Sequence, residues 1–125
     1  MAISASVTSL SRNGMADWLL QRVSAVVLAV YMIGLLGYLI CANDVSYENW
    51  KALMTSLPMQ IVNTVVVLSI VAHAWVGLWT VTTDYLTTTQ LGKSATFIRL
   101  VVQALMILSF LVLSIWALVV IWGGF

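Results

Sequence analysis

Three long apolar stretches, separated by short polar connections, dominate the chain. They run over about 18–41, 59–85 and 97–122, and each exceeds the roughly 20 residues that a helix needs to cross a bilayer. Pro58 precedes the second stretch, at a position where its missing N–H does not weaken a helix. The pattern predicts an all-α membrane protein whose three transmembrane helices form one domain over residues 1–125.

The composition supports a membrane protein and leaves no room for a soluble domain. Hydrophobic residues make up 62% of the chain and charged residues only 7%, whereas a soluble domain carries about a quarter charged residues. A single cysteine excludes an internal disulfide and a cysteine-based metal cage. No nucleotide-binding glycine motif is present. We expect membrane lipid and no nucleic acid around the chain. Any chemistry must lie within the helices, at their ends, or on a partner.

The basic residues predict the orientation. They gather before or at the start of the first helix, at Arg12 and Arg22, and between the second helix and the first turn of the third, at Lys93 and Arg99. The other connection carries only Lys51, with two acids. The positive-inside rule then places the N-terminus in the cytoplasm and the C-terminus in the periplasm. The first stretch is longer than a signal-peptide core, and no arginine-rich transit peptide precedes it. We therefore expect a retained helix in a multi-pass protein of a bacterial inner membrane.

The second stretch contains His73, the only histidine of the chain. Four small or polar residues lie within about 40° of its direction on a helix: Ser69, Gly77, Thr80 and Asp84. Ionisable residues inside a membrane span usually face the bundle interior and mark a functional site. Gly77, one turn beyond His73, removes a side chain beside the ring. The sequence thus predicts one narrow polar stripe, which we call the His73 stripe.

The histidine has three possible roles. It is a packing residue that donates to a carbonyl of a neighbouring helix, a proton relay, or a ligand of a metal or haem, for which neutral imidazole is a preferred donor. A membrane-buried haem b commonly takes two imidazoles, and this chain offers one. If His73 is a ligand, the second histidine must come from another chain.

Asp84 and Tyr85 lie about 16–18 Å along the helix axis from His73, at the predicted cytoplasmic end. Both suit a solvated membrane interface, where tyrosine is enriched. Alternatively, Tyr85 donates its hydroxyl hydrogen to a ligand carbonyl such as a quinone oxygen, while Asp84 orients a basic partner or passes protons.

Arg22 is either a positive-inside anchor or the partner of an anion such as a haem propionate, through bidentate hydrogen bonds. Ser24, Gly34 and Gly37 predict close helix packing.

Three segments, "RNG", "DWLLQR" and "HAWVGLWTVTTDY", resemble the smaller of the two hydrophobic membrane anchors of bacterial succinate dehydrogenase (respiratory Complex II, which serves the tricarboxylic acid cycle). The resemblance implies half of a heterodimeric anchor bundle that shares a haem b with a second anchor subunit (cytochrome b556). An iron–sulfur subunit and a flavoprotein subunit then dock on the cytoplasmic face. It implies that His73 is one axial ligand of the haem iron and that Arg22 reaches a haem propionate. It also implies that Tyr85 binds ubiquinone, with Asp84 as its acidic neighbour.

On this interpretation the chain is a non-catalytic subunit of an oxidoreductase and contains no complete active site. Electrons from succinate oxidation reach the quinone through clusters in another subunit. Two alternatives remain open. One is the haem-free or menaquinone-type anchor of a fumarate reductase. The other is a purely structural anchor, in which the His73 stripe is only a helix-packing seam.

Overall fold

The chain is described by a computed structural model that covers residues 14–123. Within that range every regular element is helical. The elements are α1 (Gly14–Cys41), α2 (Tyr47–Thr55), α3 (Leu57–Asp84), α4 (Thr88–Leu91), a 3-10 turn (Gly92–Ser94) and α5 (Ala95–Trp122). Three segments, namely α1, α3 and the one that ends with α5, are long and apolar enough to cross a membrane. The predicted fold class is confirmed.

The helix α3 is the central element. α1 packs against one side of α3 and α5 against another, and between α1 and α5 no close backbone approach occurs among the described residues. Tyr31 of α1 donates to Asn63 Oδ1 over 2.8 Å, and Trp122 of α5 donates to Thr64 Oγ1 over 2.9 Å. Most apolar side chains remain exposed. These surfaces are left for lipid or for other protein helices, and the buried apolar core among the described residues is small, namely Val66, Val76, Ala95 and Met106.

The long helices begin slightly before the predicted positions. α1 starts four residues earlier than 18, and α3 and α5 each start two residues earlier than 59 and 97. Asp17 lies in the first turn of α1, where a negative charge stabilises the helix dipole. Arg12, which contributed to the predicted orientation, lies outside the described residues, as does the Asn13 of the "RNG" segment.

Two short helices, α2 and α4, were not predicted. α2 occupies the first connection and lies against α3 and α5. Its first turn is capped by Ser46, whose hydroxyl accepts from the Asn49 backbone N–H over 3.2 Å, as N-terminal serine commonly does. Ser56 then separates it from α3, which begins with Pro58 in its first turn. Its nine residues are too few to cross the bilayer, so α2 does not change the number of spans.

A polar contact joins α3 and α5 near the end of α3 that carries Asp84, hereafter the Asp84 end. Gln103 Nε2 donates to Thr82 Oγ1 over 3.1 Å. Thr82 is only 2% exposed, and its hydroxyl donates to the Trp79 carbonyl over 2.8 Å. The hydroxyl therefore both gives and accepts a hydrogen bond. Gln103, one of the few polar residues of a largely apolar helix, has a structural role here.

Thr82→Val is expected to destabilise the packing of α3 on α5 by about 1 kcal/mol, because interhelical hydrogen bonds in membranes contribute about 0.6–1.7 kcal/mol. Thr83→Val is the matched control, since the Thr83 hydroxyl bonds only to carbonyls of its own helix. The measurement is the thermal unfolding of the assembled complex in detergent. Equal losses from the two variants would contradict a stabilising role for the Gln103 contact.

Candidate functional site

His73 lies in α3 with its ring turned toward α1. Its Nδ1 atom is 3.2 Å from Ser24 Oγ and 3.3 Å from the Gln21 carbonyl oxygen, and the side chain is half-buried. Both contacts belong to the neighbouring helix. The imidazole therefore lies in the interface between α1 and α3, and its Nδ1 atom makes the contacts with α1.

The hydrogen-bond network assigns the tautomer of His73. The Ser24 hydroxyl donates its only hydrogen to the Gln21 carbonyl over 3.0 Å, so toward Nδ1 it acts as an acceptor. The Gln21 carbonyl is an acceptor as well. This arrangement favours the tautomer with the proton on Nδ1 and the lone pair on Nε2. Nε2 has no hydrogen bond to any of residues 14–123, and an imidazole in this state is the form that binds metals.

The other members of the His73 stripe extend from the helix interface to the exposed end of α3. An added Cβ at Gly77 would lie 3.7 Å from Gln21 Nε2, so the Gln21 amide fills the space that the missing side chain leaves. Thr80 donates to the Val76 carbonyl of its own helix over 2.8 Å. Ser69 is half-buried and Asp84 is exposed. The stripe is thus a contact surface for α1 around His73 and becomes solvent-accessible toward Asp84.

Arg22 lies on α1 beside a cavity of about 380 Å³. Its guanidinium carbon is 4.4 Å from the centre of the Trp18 ring, a cation–π geometry. No carboxylate in the described part of the chain forms an ion pair with it. Stacking on Trp18 leaves the guanidinium N–H groups available at the cavity, where an anion can be bound.

Two further polar residues line that cavity and were not singled out from the sequence. Asp17 is only 3% exposed. The side-chain oxygen Oε1 of Gln21 is buried and has no hydrogen-bond partner within the described range. Together with Ser24, these residues follow the spacing of three and four positions that defines one helix face. That spacing in an otherwise apolar helix was the available signal for the α1 side of the site.

The predicted close packing at the α1 glycines is not found among residues 14–123. An added Cβ at Gly34 or Gly37 would meet no atom within 4 Å. Ser24, in contrast, does lie in the α1–α3 contact. The glycine surface is open to lipid or to another chain.

Asp84 and Tyr85 lie together at the end of α3, away from His73. Asp84 is the last residue of the helix, and the backbone N–H of Tyr85 caps it by donating to the Val81 carbonyl over 3.0 Å. The Tyr85 side chain is 61% exposed, and its hydroxyl bonds to none of the described residues. The helix rise separates the two residues from His73 by about 16–18 Å. The histidine and the Asp84–Tyr85 pair are therefore two separate places on one helix.

A metal enclosed by this chain alone is not supported in the described range. Residues 14–123 contain no group of three or more His, Cys, Asp or Glu side chains that would hold a metal ion. His73 supplies one nitrogen donor. This donor set fits a cofactor that takes a single ligand from this chain and completes its coordination elsewhere.

Comparison with known proteins gives consistent matches along most of the chain. The model of the family described as succinate dehydrogenase/fumarate reductase transmembrane subunit matches residues 2–113. A succinate dehydrogenase hydrophobic membrane anchor subunit from Coxiella burnetii is 34% identical over 112 residues, which cover 90% of this chain and 91% of that protein. Together with the three spanning helices, these matches show that the chain belongs to the succinate dehydrogenase/fumarate reductase transmembrane subunit family and is a multi-pass membrane anchor subunit.

Proposed function

We propose that this chain is the haem-ligating and quinone-binding anchor subunit of a succinate:ubiquinone oxidoreductase. His73 is one axial ligand of a haem b, and the second imidazole belongs to another anchor subunit. The observation that carries the proposal is the state of the His73 ring. Nδ1 is fixed on α1 by Ser24 and the Gln21 carbonyl, while Nε2 keeps a lone pair with no hydrogen bond in the described chain.

The depth of His73 fits a cofactor inside the membrane. His73 lies about 16 Å from the Asp84 end of α3, and Ser24 lies about 15 Å from the corresponding end of α1, at 1.5 Å per residue. Both helices have 28 residues, so the two side chains meet well inside the span. A neutral imidazole is tolerated at that depth, whereas a charged group there is costly.

The proposal requires a second anchor subunit. A bis-imidazole haem needs two histidines, and His73 is the only one in the sequence. The three long helices leave part of their surface uncovered by one another. These faces are apolar and exposed, as expected for a chain that packs against other membrane helices. The partner would supply the second imidazole and the remaining walls of the haem pocket.

The residues of this chain hold and orient the cofactor. When bound, the haem supplies one-electron redox chemistry. Ser24 and the Gln21 carbonyl fix the ring of His73, and hydrogen bonding to the second nitrogen of a ligating histidine orients it and raises its basicity. Arg22, stacked on Trp18 beside the cavity, would bind a propionate through two parallel N–H···O hydrogen bonds.

Arg22→Gln is expected to leave haem in the complex but to speed its loss about tenfold, because hydrogen bonds to charged groups contribute about 1.5–3 kcal/mol. The measurement is the rate at which the purified complex transfers haem to an excess of a haem-scavenging apoprotein. Arg99→Gln, on α5, is the matched control. Equal rates for wild type and Arg22→Gln would contradict the propionate assignment.

The quinone site is proposed at the Asp84 end. The Tyr85 hydroxyl is exposed and unbonded in the described chain, so it is able to donate to a quinone carbonyl. Asp84, its neighbour, is exposed as well and would exchange protons with the aqueous side. A membrane-soluble quinone reaches a helix end from the bilayer, and its reduction consumes protons that must come from water. The interface end of α3 meets both requirements.

The orientation proposed from the sequence agrees with this placement. Lys93 lies in the 3-10 turn and Arg99 near the start of α5, both at the Asp84 end, whereas Lys51 lies in α2 at the opposite end. The positive-inside rule places the Asp84 end in the cytoplasm of a bacterial inner membrane. The iron–sulfur and flavoprotein subunits would then dock at that end, next to Tyr85.

The proposal is tested by the visible spectrum of the complex purified with all its subunits. Dithionite reduction is expected to produce b-type absorption bands. A complex that assembles, oxidises succinate and shows no such bands would instead identify a haem-free or purely structural anchor.

A further inference from the structure

We propose that Ser24 positions His73 and thereby sets the reduction potential of the haem iron. The inference rests on the proposed function of His73 as a ligand, and it assigns a specific role to a residue of the opposite helix. Ser24 is buried, at 3% exposure, on the face of α1 that contacts α3.

The geometry places two acceptors beside His73 Nδ1. Ser24 Oγ is 3.2 Å away and the Gln21 carbonyl oxygen 3.3 Å away. The two acceptors are themselves joined, since the Ser24 hydroxyl donates to the Gln21 carbonyl over 3.0 Å. Because the Ser24 hydroxyl uses its hydrogen in this bond, its oxygen lone pairs are available to accept a hydrogen bond from the Nδ1–H group of His73.

Ser24 is the better acceptor of the two because the carbonyl is already occupied. Inside α1 the Gln21 carbonyl accepts the backbone N–H of Ala25, four residues later, and it also accepts the Ser24 hydroxyl. A carbonyl oxygen has two lone pairs, so the Nδ1 proton has to share them with these two donors. The Ser24 oxygen has accepted no other hydrogen bond among the described residues. The Nδ1 proton is therefore assigned mainly to Ser24.

This hydrogen bond has a consequence for iron bound at Nε2. An acceptor on the Nδ1–H group increases the basicity of the ligating nitrogen, and a more basic ligand stabilises ferric more than ferrous iron. Removing the Ser24 hydroxyl leaves Nδ1–H with the Gln21 carbonyl alone, 3.3 Å away, so the midpoint potential is expected to shift. The same hydrogen bond limits rotation of the ring, so its loss should also alter the ligand field of the ferric haem.

The test compares Ser24→Ala with Ser24→Thr in the complete complex. Three quantities are measured: haem content, the midpoint potential by redox titration, and the low-temperature paramagnetic resonance spectrum of the ferric haem. Ser24→Ala is expected to retain haem, to have a midpoint potential different from that of the wild type and to shift the ferric spectrum. Ser24→Thr, which keeps a hydroxyl, is expected to resemble wild type. Ser69→Ala, in α3 one turn from His73, is the matched control and should change none of the three.

A wild-type potential in haem-replete Ser24→Ala would overturn the inference and leave the role of His73 intact. The proposed function fails separately, if His73→Ala retains b-type haem. Should Ser24→Ala prevent assembly, Ser24→Cys replaces it, because a thiol is similar in size and a weaker acceptor. A shifted potential in Ser24→Cys supports the inference, and an unchanged one overturns it.

Discussion

The complex that carries His73→Ala is expected to lose its b-type haem absorption. Under the proposed function, alanine removes the nitrogen donor and would leave the iron with one imidazole, from the partner subunit. Since this chain contains no other histidine, no nearby imidazole of the same chain replaces it. The measurement is the reduced-minus-oxidised spectrum of the complex, normalised to the flavin of its flavoprotein subunit. We expect the low-spin b-type bands to disappear.

Two controls separate ligation from packing. Ser69→Ala changes the same stripe one turn away and should leave the bands intact, whereas a packing seam would respond to both substitutions alike. Free imidazole added to His73→Ala should restore part of the low-spin spectrum, because the truncated side chain leaves space at the iron. Unchanged bands in His73→Ala would remove the ligand assignment.

Tyr85→Phe is expected to lower quinone reduction by at least about tenfold while haem content stays at the wild-type level. The substitution deletes only the hydroxyl, which is the group proposed to donate to the quinone carbonyl. A hydrogen bond that stabilises developing negative charge contributes about 1.5–3 kcal/mol, and a positioned proton donor contributes more. The measurement is the rate of succinate-dependent ubiquinone reduction by the purified complex.

The comparison with an artificial acceptor locates the defect. Succinate oxidation measured with a soluble dye that accepts electrons upstream of the quinone should be unaffected by Tyr85→Phe. Tyr47→Phe serves as the matched control, because Tyr47 is an exposed tyrosine of α2 at the opposite end of the helices. If Tyr85→Phe reduces ubiquinone at the rate of Tyr47→Phe, Tyr85 is only an interfacial aromatic residue.

The membrane spans were predictable from sequence because the bilayer imposes a strong and simple constraint. A spanning segment must satisfy its backbone hydrogen bonds internally and be apolar over its length. This requirement shows directly in the hydropathy of the three stretches. The α2 helix has no such signature, since its nine residues mix polar and apolar groups in a connection, and its formation depends on the Ser46 cap and on packing against α3.

The helix pairing could not be predicted in the same way. A helix that is apolar on all sides gives little information about which face meets its neighbour, so the contact of His73 with Ser24 depends on the register and rotation of α1 against α3. In such helices the polar positions are what indicates which face packs against a neighbouring helix. The stripe around His73 was visible on α3, while the corresponding series on α1, namely Asp17, Gln21 and Ser24, became meaningful only once the two helices were placed together.

The structure also explains why His73 was compatible with both a packing role and a ligand role. A histidine that donates to a neighbouring carbonyl is the packing role considered from the sequence, and the Nδ1 contact with Gln21 has that form. The ligand role uses the other nitrogen. An imidazole has two nitrogens with different tasks, so the packing contact and the proposed iron bond are compatible, and the first prepares the tautomer that the second needs.

The central proposal is that His73 Nε2 binds iron jointly with a histidine of a second subunit. A cryo-electron microscopy structure of the assembled complex at side-chain resolution tests it most directly. We predict porphyrin density with its iron within bonding distance of His73 Nε2, a second imidazole on the opposite axial side, and Ser24 against Nδ1. A His73 ring surrounded only by side chains or lipid, with no porphyrin within bonding reach, would contradict the proposal.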